Sequence, residues 1–402
     1  MTHAADPPAS PAGSRRHPPA PAATGPRRDR PPPRPAPAAT GAPATGAPAT
    51  GAPATGAHAT GAPRVRTADG PVSDAAPLDA AAFDAAAARC RRELFVHAYR
   101  MLASHQDAED AVQEALLRAW RSRHTYDARA GVRAWLYRIT TNVCLDLLKG
   151  RPRRVLPYDV VGSGHADGTL PAESGAHAWV GPVPSGLLAP ADAGPDAAAV
   201  SRETVELAFL AAVQHLPPRQ RAVLVLRDVL GWPARDAAAV LGLSVPAVKS
   251  ALQRARATLR GRLPGDRLDW RAKDAAAAPA ERELAARYVT ALERGGAALA
   301  DVLGADLRIS FPPRPLWYDG REEFADGRRR HAAPGDYRFL LTSANLRPAV
   351  AVYLRRPGGT AFRPLALEVV SGAGGRVTEI VDYNGARTGA LFAAFSLPPA
   401  LR

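Results

Sequence analysis

The chain has 402 residues and a formal net charge of +14 at pH 7, enough length for two or three domains with their own cores and enough positive charge to favour a polyanionic partner, because neutralising phosphates releases condensed counterions. Nucleic acid comes ahead of an anionic membrane surface: no run approaches the roughly 18 apolar residues of a membrane span and the N-terminus lacks a signal peptide's apolar core, so the expected location is cytoplasmic. Cys90 and Cys144 are the two cysteines, without CxxC or Cys/His spacing, which indicates neither a zinc site nor a disulfide framework; both read as small core residues, with one redox bridge between them as the alternative.

Residues 1–78 are dominated by Pro, Ala, Gly, Thr and Arg, with five near-copies of ATGAP between Ala39 and Pro63. So few bulky apolar residues cannot offset the entropy of ordering, and a disordered tail is expected. Helical periodicity begins near Phe83 and defines a domain over 79–151. Leu94, Ala98, Met101 and Leu102, widened by Phe95 and Tyr99, predict a helix over 89–103. Ser104 with Asp107 makes a capping-box-like start for the next helix, which turns Ala108, Val112, Ala115, Leu116 and Ala119 inward. Its other side carries Asp107, Asp110, Gln113 and Glu114, either a solvated face or an acidic stripe for a basic partner. A polar, basic stretch, Arg121 to Gly131, holds Arg123, His124, Tyr126 and Arg129. The following helix over 132–149 places Arg138, Asn142 and Lys149 outward. Tyr126 and Trp135 beside these arginines are candidates to support an unstacked base, although each could instead be core, a reading at least as good for Trp135.

A loose Pro/Gly/Ala stretch over 152–199 predicts a flexible linker. Within a second helical domain, 200–263, the string PARDAAAVLGLSVPAVKSALQRARATLR reads as helix-turn-helix. Ala237 and Ala238 permit close crossing, Gly242 suits the turn, Ser244 caps the second helix, and Pro246 sits where a missing N–H costs nothing. Val248, Leu252, Ala255 and Leu259 face inward, which leaves Ala247, Lys249, Ser250, Gln253, Arg254 and Arg256 to reach base edges or phosphates. Residues 217–273 hold 12 Lys or Arg against 4 acids, favouring DNA over a merely solvated face. A joint over 264–280 leads to a domain over 281–397 of mixed helix and alternating strands, at Leu307 to Phe311, Ala349 to Leu354, Leu365 to Val370 and Val377 to Asp382, the last two joined by Gly372 to Gly375.

The two helical blocks in this order, YRMLASHQDAEDAVQEALLRAWRS with YDARAGVRAWLYRITTNVCLDLLKGR, then LPPRQRAVLVLRDVLGWPARDAAAVLGLSVPAVKSALQRARATLR, resemble regions 2 and 4 of extracytoplasmic-function sigma factors of the sigma-70 family. The resemblance covers about residues 83–263 and implies a non-enzymatic transcription initiation factor that binds core RNA polymerase and promoter DNA and needs no cofactor. It implies that Asp107, Asp110, Gln113 and Glu114 meet the β′ clamp helices, that Arg123, Tyr126, Arg129, Trp135, Arg138 and Asn142 act at the −10 element, and that Ser244, Lys249, Ser250, Arg254 and Arg256 act at the −35 element. Region 4 would also meet the β flap. The third domain, with FPPRPLWYDGREEF, resembles a SnoaL-like α+β cone, which implies regulation in cis and leaves a small ligand open. The expected fold class is therefore multidomain: two all-α domains, then the cone, behind a disordered tail.

Two other readings stand beside this one. A cone pocket that includes Asp306, Trp317, Tyr318, His331, Asp382 or Tyr383 could serve proton transfer, though nothing in the sequence pairs them. A ligand-responsive helix-turn-helix regulator is the other, and such a protein has no use for the acidic helix and the basic aromatic loop.

Overall fold

The structure, a computed structural model, describes residues 78–127, 131–164, 169–188, 202–263, 277–295 and 297–402. The tail to residue 77 and most of the 264–280 joint lie outside these. Asp79 opens α1 (Ala80–Leu102) by accepting the Ala82 amide at 2.7 Å. The helix starts at 80 rather than 89 because an Ala-rich run propagates it easily and Phe83 gains an edge-on contact with Trp120, centroids 5.4 Å apart. Ser104 then caps α2 (His105–Arg121), its Oγ accepting the Asp107 amide at 3.3 Å. The reciprocal half of the box is absent, since the Asp107 carboxylate accepts instead from Arg154 at 2.5 Å. Ala108, Ala111, Val112, Ala115 and Ala119 are buried, small enough for α1 to approach closely. α3 (Val132–Leu147) completes the three-helix unit with Trp135, Leu136, Val143 and Cys144 inward.

Where it is described, the stretch expected to be a flexible linker is instead packed into the fold. There β1 (Arg154–Val155) pairs in parallel with β2 (Ala178–Trp179), and α4 (Ser185–Leu188) follows. Val155, Leu156, Val180, Val183 and Leu188 are buried. These aliphatics have no periodicity among their prolines and glycines, so a pattern reading misses them. They are buried because the flanking domains close over them. Residues 189–201 lie outside the described chain.

The second block comprises α5 (Leu207–Gln214), α6 (Pro218–Leu224) running into a wide π-type turn over Val225–Val229, α7 (Ala234–Leu241) and α8 (Val245–Arg260). Gly242 ends α7 at φ 62°, and Ser244 Oγ accepts the Ala247 amide at 3.3 Å. Val248, Leu252, Ala255 and Leu259 are buried as expected.

The C-terminal part opens with α9 (Ala277–Arg294) and α10 (Ala297–Val302). Then come β3 (Leu303–Ser310), β4 (Trp317–Asp319), α11 (Arg321–His331), β5 (Asp336–Ala344), β6 (Arg347–Arg355), β7 (Arg363–Ala373), β8 (Arg376–Asn384) and α12 (Thr388–Ala394). The six strands form one sheet in the order β4-β3-β8-β7-β6-β5, antiparallel except for β3 with β8. Side-chain alternation gives this sheet two buried faces. Val350, Val352, Ala366 and Ile380 join Leu284 and Tyr288 of α9 in the core of the cone, whereas Ala349, Ala351, Tyr353, Leu367, Val369 and Val381 belong to a larger core shared with α1 to α8 and the connector.

Candidate nucleic-acid interface

Capping and amphipathicity set what α2 presents to solvent. Asp110, Gln113 and Glu114 face outward, Glu114 bound to Arg118 at 2.7 Å one turn on. Asp107 does not share that face freely, because Arg154 and Arg151 of the connector hold both its oxygens. The stripe continues through Leu117, 51% exposed, to Trp120, 37% exposed, with the Arg123 guanidinium 4.1 Å from the indole centroid. Trp120 and Leu117 escaped the sequence reading. The legible signal was their spacing of three residues, continuing from Asp110 and Glu114 along one face.

Arg138 and Asn142 are exposed one turn apart on α3, and Tyr126 is half-buried. Trp135 is 4% exposed beneath Tyr126, centroids 5.5 Å apart, so it is core and cannot stack on a base from this position. Arg129 lies outside the described residues. On α8, Lys249, Arg254 and Arg256 are exposed and Ser250 half-buried. Ser250 Oγ accepts from Arg254 at 2.6 Å, and Arg256 makes a two-pronged bond to the Asp228 carboxylate, both contacts 2.7 Å. Ser244 spends its hydroxyl on the cap. The basic face of α8 thus rests on Lys249 and Arg254, with Arg256 anchored to its own domain.

Both helical blocks match known families. Residues 87–154 match the profile of sigma-70 region 2, and residues 206–259 match that of sigma-70, region 4. Over 319 residues the chain is 41% identical to the ECF RNA polymerase sigma factor SigG of Mycobacterium tuberculosis, spanning 77% of this chain and 82% of that protein. The chain belongs to the extracytoplasmic-function sigma factors of the sigma-70 family. SigE of Mycolicibacterium smegmatis is 32% identical over 166 residues, 40% of this chain and 54% of that one. The crystal structure of M. tuberculosis SigJ aligns over 80% of this chain and all of that one at 21% identity and a TM-score of 0.49. As a member of this family the chain is a transcription initiation factor that binds core RNA polymerase and promoter DNA, and it is not an enzyme.

In this sigma factor regions 2 and 4 pack directly on each other. Trp232 sits against Tyr137, centroids 4.9 Å apart, with the Arg133 guanidinium 5.3 Å from the indole. Arg221 of α6 is buried and donates to the Met101 carbonyl of α1 at 2.5 Å and to Gln214 Oε1 at 2.6 Å. Arg100 donates to Thr204 Oγ1 at 2.6 Å. Burial pulls both guanidinium groups down to about 10.

The cone is wedged into this junction by the β5–β6 hairpin, whose two turn residues, Asn345 and Leu346, have φ of 55° and 58°. That left-handed pair fits the twist of a two-residue hairpin, and Asn tolerates it well. Asn345 is fully buried. Its Nδ2 donates to Tyr99 Oη and to the Val205 carbonyl, both at 2.7 Å, and its Oδ1 accepts the Val183 amide at 3.0 Å. One side chain therefore ties region 2, the connector and the entry to region 4 to the cone. Beside it Arg347 bridges Glu206 and Glu281.

The pocket candidates divide by strand alternation. Tyr318, His331 and Asp382 line a cavity inside the cone. Tyr383 points to the opposite face, where it donates to the Val180 carbonyl at 2.9 Å, and Trp317 donates to the Val161 carbonyl at 2.9 Å. Asp306 is exposed outside the cavity. Tyr383 and Trp317 are thus contacts to the connector.

Proposed function

We propose that this sigma factor is held closed by its own C-terminal domain and opens to direct promoter-specific initiation. The observation that carries the reading is the buried Asn345 hub beside the direct packing of region 2 on region 4. Elements centred about 25 base pairs apart lie about 85 Å apart on B-form DNA at about 3.4 Å per base pair. A 16-residue helix such as α8 spans about 24 Å. Domains packed side by side cannot touch both elements, so region 4 must separate from region 2 before both are read.

In the open chain Asp110, Gln113 and Glu114 dock on the β′ clamp helices, extended by Leu117 and Trp120. Asp107 joins them only when the connector releases it. Arg123, Tyr126, Arg138 and Asn142, with Arg129, hold the −10 strand, and Trp135 supports Tyr126 from beneath. Lys249, Ser250 and Arg254 read the −35 element, with Ser244 and Arg256 holding α8 in place. Region 4 meets the β flap. The domains follow the bounds 79–151, 200–263 and 281–397, and the site of action is the cytoplasm; among the described residues no helix is long and apolar enough to cross a membrane.

Footprinting tests the assignment. The chain with core polymerase is expected to protect both promoter elements, and the chain alone neither. Specific protection by the chain alone would replace this reading with a ligand-responsive helix-turn-helix regulator.

A further inference from the structure

None of the residues assigned to polymerase or promoter contacts lines the cavity of about 510 Å³ on the concave side of the cone sheet. That size suits a small organic molecule, and much of the wall is apolar, including Ile309, Phe311, Phe324, Phe339 and Val352. Two carboxyl groups interrupt it. Glu368 on β7 and Asp382 on β8 are direct partners across the strand pair, so both side chains leave the sheet on the cavity side. Tyr288 Oη donates to Glu368 at 3.0 Å from α9, and Asn384 Nδ2 donates to Asp382 at 3.2 Å.

Among the described residues, four basic side chains line this cavity. Arg328 and His331 approach from α11, Arg314 from the β3–β4 loop and Arg356 from the end of β6. Arg314 is engaged elsewhere, by the Pro171 carbonyl at 2.6 Å and Glu173 at 3.7 Å, and Arg356 is exposed. Among the described residues, the Arg328 guanidinium opposes the effect of burial on both carboxyls. With both carboxyls ionised, two negative charges would face the Arg328 guanidinium, and one further positive charge, a proton or a bound cation, completes the balance.

We propose that this cavity binds a monocationic amphiphile, an apolar ring or chain bearing a protonated amine that lies against Glu368 and Asp382. With the site empty, burial raises both carboxyls, and repulsion from Asp382 raises Glu368 further, so the pair retains a proton. An ammonium group entering the site takes over that proton's role, and the proton leaves to solvent. Binding therefore tightens as pH rises through neutrality and weakens only where the amine itself loses its charge. Leu170 of the connector forms part of the wall, Ser174 N donates to the Pro313 carbonyl at 3.0 Å, and Glu173 accepts the Ala386 amide at 3.0 Å. The segment joining regions 2 and 4 thus closes one side of the site, and occupancy alters its protection.

The test uses the full chain and three probes of one shape: tryptamine, tryptophol and indole-3-acetate, titrated calorimetrically at pH 6 and pH 8. Tryptamine is expected to bind at least about tenfold tighter than either other probe, more tightly at pH 8, and with proton release. The double variant E368Q/D382N is expected to remove that preference while leaving tryptophol unchanged. Amide exchange over 169–174 is expected to slow with tryptamine bound. Equal or better binding of tryptophol or indole-3-acetate, no binding of any probe, or a pH dependence of opposite sign overturns the proposal. These comparisons use the unmodified chain and do not depend on how the variant folds. Binding without any change in exchange would remove the link to the connector.

Discussion

Replacing Asn345 by Gly removes the hub's side chain while keeping the hairpin, because Gly is at home in the left-handed conformation that residue 345 adopts at φ 55°. Three side-chain hydrogen bonds are lost, to Tyr99, Val183 and Val205. At about 1 kcal/mol each the closed form loses about 3 kcal/mol, and more if a buried group is left unsatisfied. In the open form the same side chain is solvated, so its removal costs little there. The closed-to-open ratio should fall by about a hundredfold, since each 1.4 kcal/mol is about tenfold. Apparent affinity for core polymerase is the intrinsic affinity scaled by the open fraction. N345G should therefore bind core up to about a hundredfold more tightly than the unaltered chain in an equilibrium titration, with unchanged helical content. Equal affinity for the two would refute the argument that the hairpin holds the chain closed.

Reversing the outward carboxylates of α2, D110K with E114K, is expected to abolish core binding while leaving the melting temperature within a few degrees, because both groups are on the solvent side; retained binding would remove α2 from the interface. K249A with R254A is expected to weaken −35-dependent initiation at least about tenfold and R256A to act through stability, since Arg256 is tied to Asp228; base-specific loss from R256A alone would reverse those roles. The cone should lose stability as pH rises from the ordinary carboxylate range through neutrality. Glu368 and Asp382 are raised by burial, so in that window the folded state holds protons the unfolded chain has released. E368Q should flatten that slope in thermal melts from pH 5.5 to 8.5, and an unchanged slope would contradict it. Burial raises Cys90 to about 11 and Cys144 to about 12, so neither should react with iodoacetamide at pH 8 until the chain unfolds; rapid native labelling would contradict their placement.

The helical architecture was legible because local signals carried it. Ser104 and Ser244 cap the helices they were expected to cap, Gly242 turns where its backbone freedom is needed, and the spacing of Val248, Leu252, Ala255 and Leu259 marks the buried side of α8. What the pattern missed depends on distant partners. Asp107 reads as one more member of an acidic stripe, but two arginines some forty-five residues on draw it to the connector. Trp135 has the composition of a base platform and the position of a core residue, and only the packing of Tyr126 over it decides between them. Arg256 looks like a groove reader until Asp228, from another helix, claims its guanidinium. Asn345 carried no signal beyond a turn residue. Its role exists because three segments far apart in sequence meet at its side chain.

The most direct test is run-off transcription from promoter fragments with core polymerase alone, with the full-length chain added, and with the chain truncated after Leu263. Core alone should give no specific starts, the full-length chain should give starts that share −35 and −10 elements, and truncation should raise their yield severalfold by freeing region 4 from region 2. Equal yields would contradict closure by the C-terminal domain, and the absence of specific starts with either form would contradict promoter-directed initiation.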